Sequence, residues 1–384
     1  MTRNAEEGTN AAAEASGSGL ARLWLLAPGA VALLLMAAAR TNPDATEALF
    51  SRGVYPWLSS AVALAPSLVG FSVAEWAALA FVVALVAYVG RGAWRLVRAH
   101  GGRSRRWQAY RLVTGLIGIV GAVYLAFMLL CGLNYYRHTF AEDAGFDVRP
   151  SSTEELIALC DELAAEADER RAQLGGVDPG AYAASRGGFE AYARRAVEAV
   201  GALADDYPVL ARPLYSPPKP VLASELMSYA DIAGMFFPWT VESNVNVDPP
   251  FHAQPATMAH ELAHQCGFMR EDEANFIAYL ACGRSDDALV RYSGTMLALD
   301  YALGALARED PQAVAAVREG LSEEVRADRR ASAAFWAAYE GPVAQVSHAA
   351  NNAYLRANDQ SDGTRSYGRM VDLLLAERRG RAQG

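Results

Sequence analysis

The run His260-Glu261-Leu262-Ala263-His264, continued by Gln265-Cys266-Gly267-Phe268-Met269-Arg270-Glu271-Asp272-Glu273-Ala274-Asn275, decides how the rest of this chain is read. On a helix, side chains four residues apart share a face, so two imidazoles at that spacing can reach one Zn2+ ion. A glutamate beside the first imidazole can hold a water and take its proton as that water attacks a carbonyl. The spacing predicts a helix over about 256–266, with His260 and His264 as metal ligands and Glu261 as general base. A catalytic zinc site also needs a third protein ligand and an open fourth position. Gly267 stands where a helix can end on a left-handed residue and turn the chain back, and a second helix is expected over about 271–283. Glu271 is the expected third ligand and Glu273 the alternative; Asn275 is a candidate for orienting a ligand from behind. Acids in a first helical turn also suit the helix dipole without any metal, so the choice between the two glutamates stays open.

Outward from this block the chain reads as mostly helical. Downstream, helices are expected over about 286–306, 310–318, 322–356 and 366–379. Upstream, the capping box Ser152-Thr153-Glu154-Glu155 opens a helix over 151–173, and a second follows over 189–205. Five prolines between Tyr207 and Pro220 mark a loop or seam, and Val221 to Val247 alternates polar and apolar residues as a strand does. Within it, Glu242 to Asp248 could lie beside an extended peptide and add it to a sheet edge, or be an ordinary edge strand. His348 and Tyr354 are possible donors to an oxyanion, as are Tyr292 and Tyr367, although such residues are more often packed. His252 is a weaker metal candidate. Cys131, Cys160, Cys266 and Cys282 form no CxxC pair, which excludes thioredoxin-like redox motifs. Cys266 and Cys282 read as small buried residues, with a disulfide as the alternative.

The N-terminal third is different in kind. Residues 1–19 are polar, without periodicity, and read as a disordered tail. Residues 20–136 read as a membrane domain with spans over about 20–39, 71–90 and 112–133. The uncharged cores are Leu23 to Ala39 and Leu112 to Leu133, while Glu75 lies near the start of the middle span and reads as an interfacial residue. Val54 to Val69 is apolar but interrupted by Pro56 and Pro66, so an interfacial or re-entrant segment is expected there rather than a firm helix. Seven arginines, from Arg91 to Arg111, lie between the second and third spans, against Arg40 and Arg52 between the first two. The positive-inside rule then puts the N-terminus inside and residues 137–384 outside a bacterial cytoplasmic membrane. Ala37-Ala38-Ala39 also resembles a signal-peptide cleavage site, which would leave the later spans unchanged. One Lys against 33 Arg suggests a GC-rich bacterial genome. The net charge of −9 is a +5 N-terminal part (1–136) and a −14 remainder, and so acidic a domain is a poor candidate for nucleic acid.

HELAH followed by a glutamate at the head of the next helix resembles the gluzincin type of zincin metallopeptidase. That group carries its third ligand in a Glu-x-x-x-Asp motif, which Glu271 to Asn275 matches with Asn in place of Asp. His260 to Gly267 also resembles the metzincin start, but Arg270 stands where that family has its third ligand. A longer resemblance is carried by Phe236–Asp248, His260–Cys282, Arg291–Leu303, Tyr354–Ala376 and the Phe71 to Glu75 opening. Over roughly residues 50–380 the chain resembles the bacterial family catalogued as domain of unknown function 3810. The resemblance implies a membrane-anchored, zinc-dependent peptidase with a mainly helical zincin-like domain and a small β element. The expected partners are a lipid bilayer and an extracytoplasmic peptide or protein substrate. The competing expectation is a non-catalytic, membrane-tethered module whose zinc is structural or sensory, favoured if four protein ligands close the site.

Overall fold

A computed structural model describes residues 21–357 and 367–383. The expected tail, residues 1–19, lies outside the described residues. The chain divides into two compact units, one comprising residues 1–42 and 76–133 and the other residues 43–75 and 134–384.

The first unit holds helices long and apolar enough to cross a membrane: Arg22–Thr41, most of Val73–Arg98, and Gly102–Leu130. The last begins ten residues before its apolar core and takes in Arg103, Arg105, Arg106 and Arg111. Helix Arg22–Thr41 packs on Gly102–Leu130 where glycine meets glycine. A Cβ added at Gly121 would stand 2.9 Å from the Gly29 nitrogen, so only hydrogen permits this approach. Arg22 Nε donates to Thr114 Oγ1 at 3.2 Å at one end of the same contact.

The second unit is discontinuous in sequence, since residues 43–75 belong to it. The cause is a set of buried polar contacts across a long stretch of sequence. Arg137 Nη2 and Nε reach the two oxygens of Glu47 at 2.8 and 3.0 Å, and Ser51 Oγ donates to Asn134 Oδ1 at 2.9 Å. Burial would raise the Glu47 pKa, but the Arg137 charge and hydrogen bonds outweigh it and hold the carboxyl below its ordinary value. Val54 to Val69, expected as an interfacial or re-entrant segment rather than a firm helix, holds a regular helix, α1 (Tyr55–Ser67), entered from a π-helical stretch Thr46–Val54. Pro56 occupies the first turn, where no N–H is needed, and Pro66 the last, so neither breaks it.

The longer helices of this unit that follow are α2 (Thr153–Ala172), α3 (Gly188–Leu203), α4 (Gln254–Gln265), α5 (Glu271–Arg284), α6 (Ala288–Glu309), α7 (Pro311–Gly320), α8 (Glu323–Ala338), α9 (Pro342–Ala357) and α10 (Tyr367–Gln383). The single helix expected over 322–356 is two, because Gly341-Pro342 ends one and starts the next. Helices α4 and α5 occupy the centre: Met258, Ala259, Leu262, Ala263, Ala274, Phe276, Ile277 and Ala278 are all buried. Helices α3 and α6 each pack on both, and α2 and α10 pack on α6.

The β element is a three-stranded sheet, β1 (Lys219–Pro220), β2 (Gly234–Phe237) and β3 (Glu242–Val245), in the order β1-β3-β2. Strand β3 is parallel to β1 and antiparallel to β2, with Gly234 opposite Val245 and Phe237 opposite Glu242. Glu242 to Val245 therefore lies at the centre of the sheet with both edges taken, and it cannot receive a further strand. Its polar side chains are buried: Lys219 Nζ lies 2.6 Å from Glu242 Oε1, whose companion Oε2 has no protein partner, and Gln265 Nε2 donates to Ser243 Oγ at 2.8 Å. The sheet edge that borders α4 is β2.

Candidate metal centre

Helix α4 ends in a Schellman turn. Phe268 N–H bonds back to Ala263 O at 3.2 Å and Gly267 N–H to His264 O at 2.9 Å, with Gly267 at φ 89°. The turn reverses the chain so that the first residue of α5, Glu271, faces the two histidines. Glu271 Oε2 is 3.3 Å from His260 Nε2, and Oε1 is 3.8 Å from His264 Nε2. One donor atom from each of His260, His264 and Glu271 lies within 4.8 Å of the others, and among the described residues no other His, Cys, Asp or Glu joins the group.

The imidazoles are held by their other nitrogens. His260 Nδ1 lies 2.8 Å from Asn275 Oδ1, and His264 Nδ1 lies 2.7 Å from the Phe268 carbonyl. Both partners accept hydrogen bonds, so each Nδ1 carries the proton and each Nε2 presents a lone pair. The two Nε2 atoms lie 3.1 Å apart. Two acceptors at that separation repel each other unless a proton or a metal ion is shared between them. Without a metal, a proton fills that place. Burial alone would lower the His260 pKa, but the Glu271 carboxylate reverses the effect and pushes it up to about 9. Burial and the His260 charge together push His264 down to about 4. Glu271 is held below its ordinary value, its burial outweighed by the bond to His260. Two neutral imidazole nitrogens and one carboxylate make a donor set that fits Zn2+ with one position left open.

Glu261 lies under strand β2. A Cβ at Gly234 would collide with Glu261 Oε1 and stand 2.7 Å from Thr257 Cγ2, so the strand can cross here only as glycine. The carboxylate is hydrogen-bonded to the backbone of Phe236, yet Glu261 Oε2 is buried with no protein partner. Burial raises its pKa to about 8.

The other candidates fall elsewhere. Glu273 is on the opposite side of α5, where its Oε1 accepts from Phe140 N at 2.9 Å and burial raises its pKa to about 8. Two residues along a helix is a rotation of about 200°, so Glu271 and Glu273 cannot both face the histidines. Asn275, one turn after Glu271, is the residue behind His260, and its Nδ2 donates to Tyr301 Oη at 3.0 Å. His348 is exposed and paired with Asp231 at 2.7 Å, and Tyr354 bonds Tyr135 through the hydroxyls at 2.9 Å. Tyr292 donates to Asp328, and His252 pairs with Ser332 Oγ at 2.9 Å, so neither joins the group. The Tyr367 side chain lies outside the described residues. All four cysteines are buried and none is in a disulfide, so no disulfide joins Cys266 to Cys282.

Several residues that hold the site were not singled out from sequence. Tyr55 Oη donates to the His264 carbonyl at 3.4 Å, and Arg212 reaches the Gln265 carbonyl. Arg137 Nη1 donates to Cys266 O at 3.3 Å, with its guanidinium 4.0 Å over the Phe268 ring. The Gln265 side chain accepts from Ser216 N at 3.0 Å and donates to Ser216 O at 2.8 Å. No local signal marks these residues, since each acts on a turn 49 or more positions away.

Fold and site together define a helical chain with three membrane-length apolar helices and a candidate centre of two histidines and one glutamate. The chain belongs to the family described as protein of unknown function (DUF3810), whose model matches residues 50–375. No curated protein and no solved structure matches it.

Proposed function

We propose that this protein is a membrane-anchored zinc metallopeptidase of zincin type, with His260, His264 and Glu271 as ligands and Glu261 as general base. The observation that carries this reading is the pair of Nε2 atoms 3.1 Å apart, with Glu271 within reach of both, beside a buried glutamate oxygen without a partner. A structural metal site has no use for an unpaired carboxylate next to its first ligand, whereas hydrolysis requires one. When bound, Zn2+ would supply a Lewis acid that polarises the scissile carbonyl and acidifies water.

The chain's own residues do the rest. Glu261 Oε2 accepts the proton of the attacking water, and the same carboxyl returns it to the leaving amine nitrogen. Asn275 and the Phe268 carbonyl keep both imidazoles in the Nδ1–H tautomer. Strand β2, which crosses Glu261, offers its outer edge for an extended peptide to pair with. Oxyanion donors are not assigned, since His348 and Tyr354 are both engaged elsewhere. The three apolar helices support a multi-pass membrane protein, and the arginines of residues 91–111 support a cytoplasmic loop there, with the candidate site outside a bacterial inner membrane.

Purified wild type and Glu261→Gln test the reading on a mixed peptide library. Wild type is expected to cleave. The variant should retain its zinc and lose activity by about 10^2–10^4-fold, the usual worth of a positioned general base. Zinc retention without cleavage by either form would contradict it.

A further inference from the structure

Helix α1 is amphipathic in the wrong sense for a helix in water. Its buried side carries Tyr55, Ser59, Ser60, Ala63 and Pro66. Its outward side carries, at spacings of three, seven and four residues, Val54, Trp57, Leu64 and Leu68, which are 53, 68, 57 and 79% exposed. Ala61 and Ala65, also exposed, fill the stripe between them. No Asp, Glu, Lys or Arg occurs from Gly53 to Ala74. The Glu75 carboxylate extends the patch by accepting Leu222 N at 3.0 Å and Ala223 N at 2.9 Å. That brings Leu222 and Leu226, 78 and 70% exposed, beside the stretch that leads out of α1. A contiguous apolar surface of this kind marks an interaction site.

Two observations name what covers it. The stripe continues, without an intervening charge, into Val73–Arg98, a helix long and apolar enough to cross a membrane. Trp57, at the start of the stripe, is the residue type that settles at the boundary between acyl chains and headgroups. The partner is therefore the lipid surface that continues from that helix.

We propose that α1 lies in the bilayer interface with Val54, Trp57, Leu64, Leu68, Leu222 and Leu226 among the acyl chains. From this it follows that the candidate site acts on membrane-inserted proteins, at the first stretch of chain outside the bilayer. The step from lipid to site is short. On its inner side α1 touches the last turn of α4 directly: Tyr55 Oη donates to the His264 carbonyl, and Arg212 bridges Ser59 Oγ and the Gln265 carbonyl. One helix diameter, about 10 Å, thus separates the lipid-facing stripe from the helix that bears both histidines. The placement of α1 stands on its own surface; the substrate class rests on the peptidase reading.

The test uses the full chain reconstituted in phosphatidylcholine bilayers. Nitroxides are placed singly through Trp57→Cys, Leu64→Cys and Leu68→Cys, with Glu324→Cys as an aqueous control; the native cysteines are buried. At the three stripe positions, relaxation by dissolved oxygen should exceed that by a water-soluble nickel chelate several-fold, and the order should reverse at 324. Nickel dominance on the stripe would overturn the proposal. Shielding from both reagents would overturn it too, since protein, such as a second copy, would then cover α1. For the substrate class, one peptide is offered free and acyl-tethered to the same bilayers. Leu64→Glu with Leu68→Glu should lose at least tenfold on the tethered form and nothing on the free form. Equal loss on both, or no loss, overturns the class. Wild type that cleaves neither form overturns the peptidase reading and with it the class, while the nitroxide depths still decide where α1 lies.

Discussion

Helices α4 and α1 touch each other and both turn polar groups inward, but for opposite reasons. In α4 the buried groups are Glu261, His264 and Gln265, and nearly every polar atom is matched: His264 Nδ1 by Phe268 O, the Gln265 amide by Ser216 and Ser243. What is left over is Gln254 Oε1 in the first turn and, further along, Glu261 Oε2 with the two imidazole Nε2 atoms, the last three forming the site. In α1 the inward hydroxyls serve packing, with Ser59 Oγ donating to Tyr55 O at 2.7 Å, and the oddity is on the outer face, which is apolar. A buried polar group needs a partner or a function, and an exposed apolar stripe needs a solvent other than water. The same inversion thus signals chemistry in one helix and environment in the other.

The largest effect expected from disturbing this pair is at the brace between their two ends of the chain. Arg137→Ala removes the bidentate, buried partner of Glu47 and the bond to Cys266 O, leaving the buried carboxylate only the exposed Arg52 as a cationic partner. A loss of about 3–5 kcal/mol is expected by denaturant unfolding in detergent. Glu47→Leu combined with Arg137→Met should recover most of it. If the double variant is as unstable as the single, the stranded charge is not the cause.

A smaller effect sharpens the reading of α4. Asn275→Ala takes away the acceptor that fixes the His260 tautomer, and zinc affinity measured by chelator competition should fall about 10–100-fold with little change in stability. Asn275→Asp should hold the imidazole at least as well. An unchanged affinity in the alanine variant would remove Asn275 from the site.

The smallest effect comes from a buried histidine that has no part in the site. Burial holds the His252 pKa below its ordinary value, so the folded chain keeps the imidazole neutral where the unfolded chain takes a proton. Below about pH 6.5 the unfolded state then binds more protons, and stability falls as pH drops towards the lower, folded pKa. The slope is at most about 1.4 kcal/mol per pH unit. His252→Gln should flatten the melting temperature between pH 5 and 6.5; an unaltered slope would place the acid sensitivity elsewhere.

Much of the α4–α5 pair is legible in the sequence, because its signals are local. The i, i+4 histidines, Gly267 and the acids after it fix two helices to within about two residues, and the structure brings Glu271 rather than Glu273 to the imidazoles. That choice turned on where α5 starts and on Phe140 N capturing Glu273, which no spacing announces. The sheet order was not legible either, since β3 pairs with a two-residue strand 25 positions earlier that carries no pattern of its own. The division into units was hidden for the same reason: Glu47 and Arg137 are 90 residues apart. In α1 the prolines and the absence of charge obscured a regular helix whose inward face is marked only by serines.

The most direct test of the central claim is the metal content of the purified full chain, wild type beside His264→Ala, by elemental analysis after dialysis against metal-free buffer. One zinc per chain in the wild type and close to none in the variant is the predicted result. A wild type that retains no metal, or a variant that retains as much as the wild type, would contradict the assignment of His260, His264 and Glu271 as a metal centre.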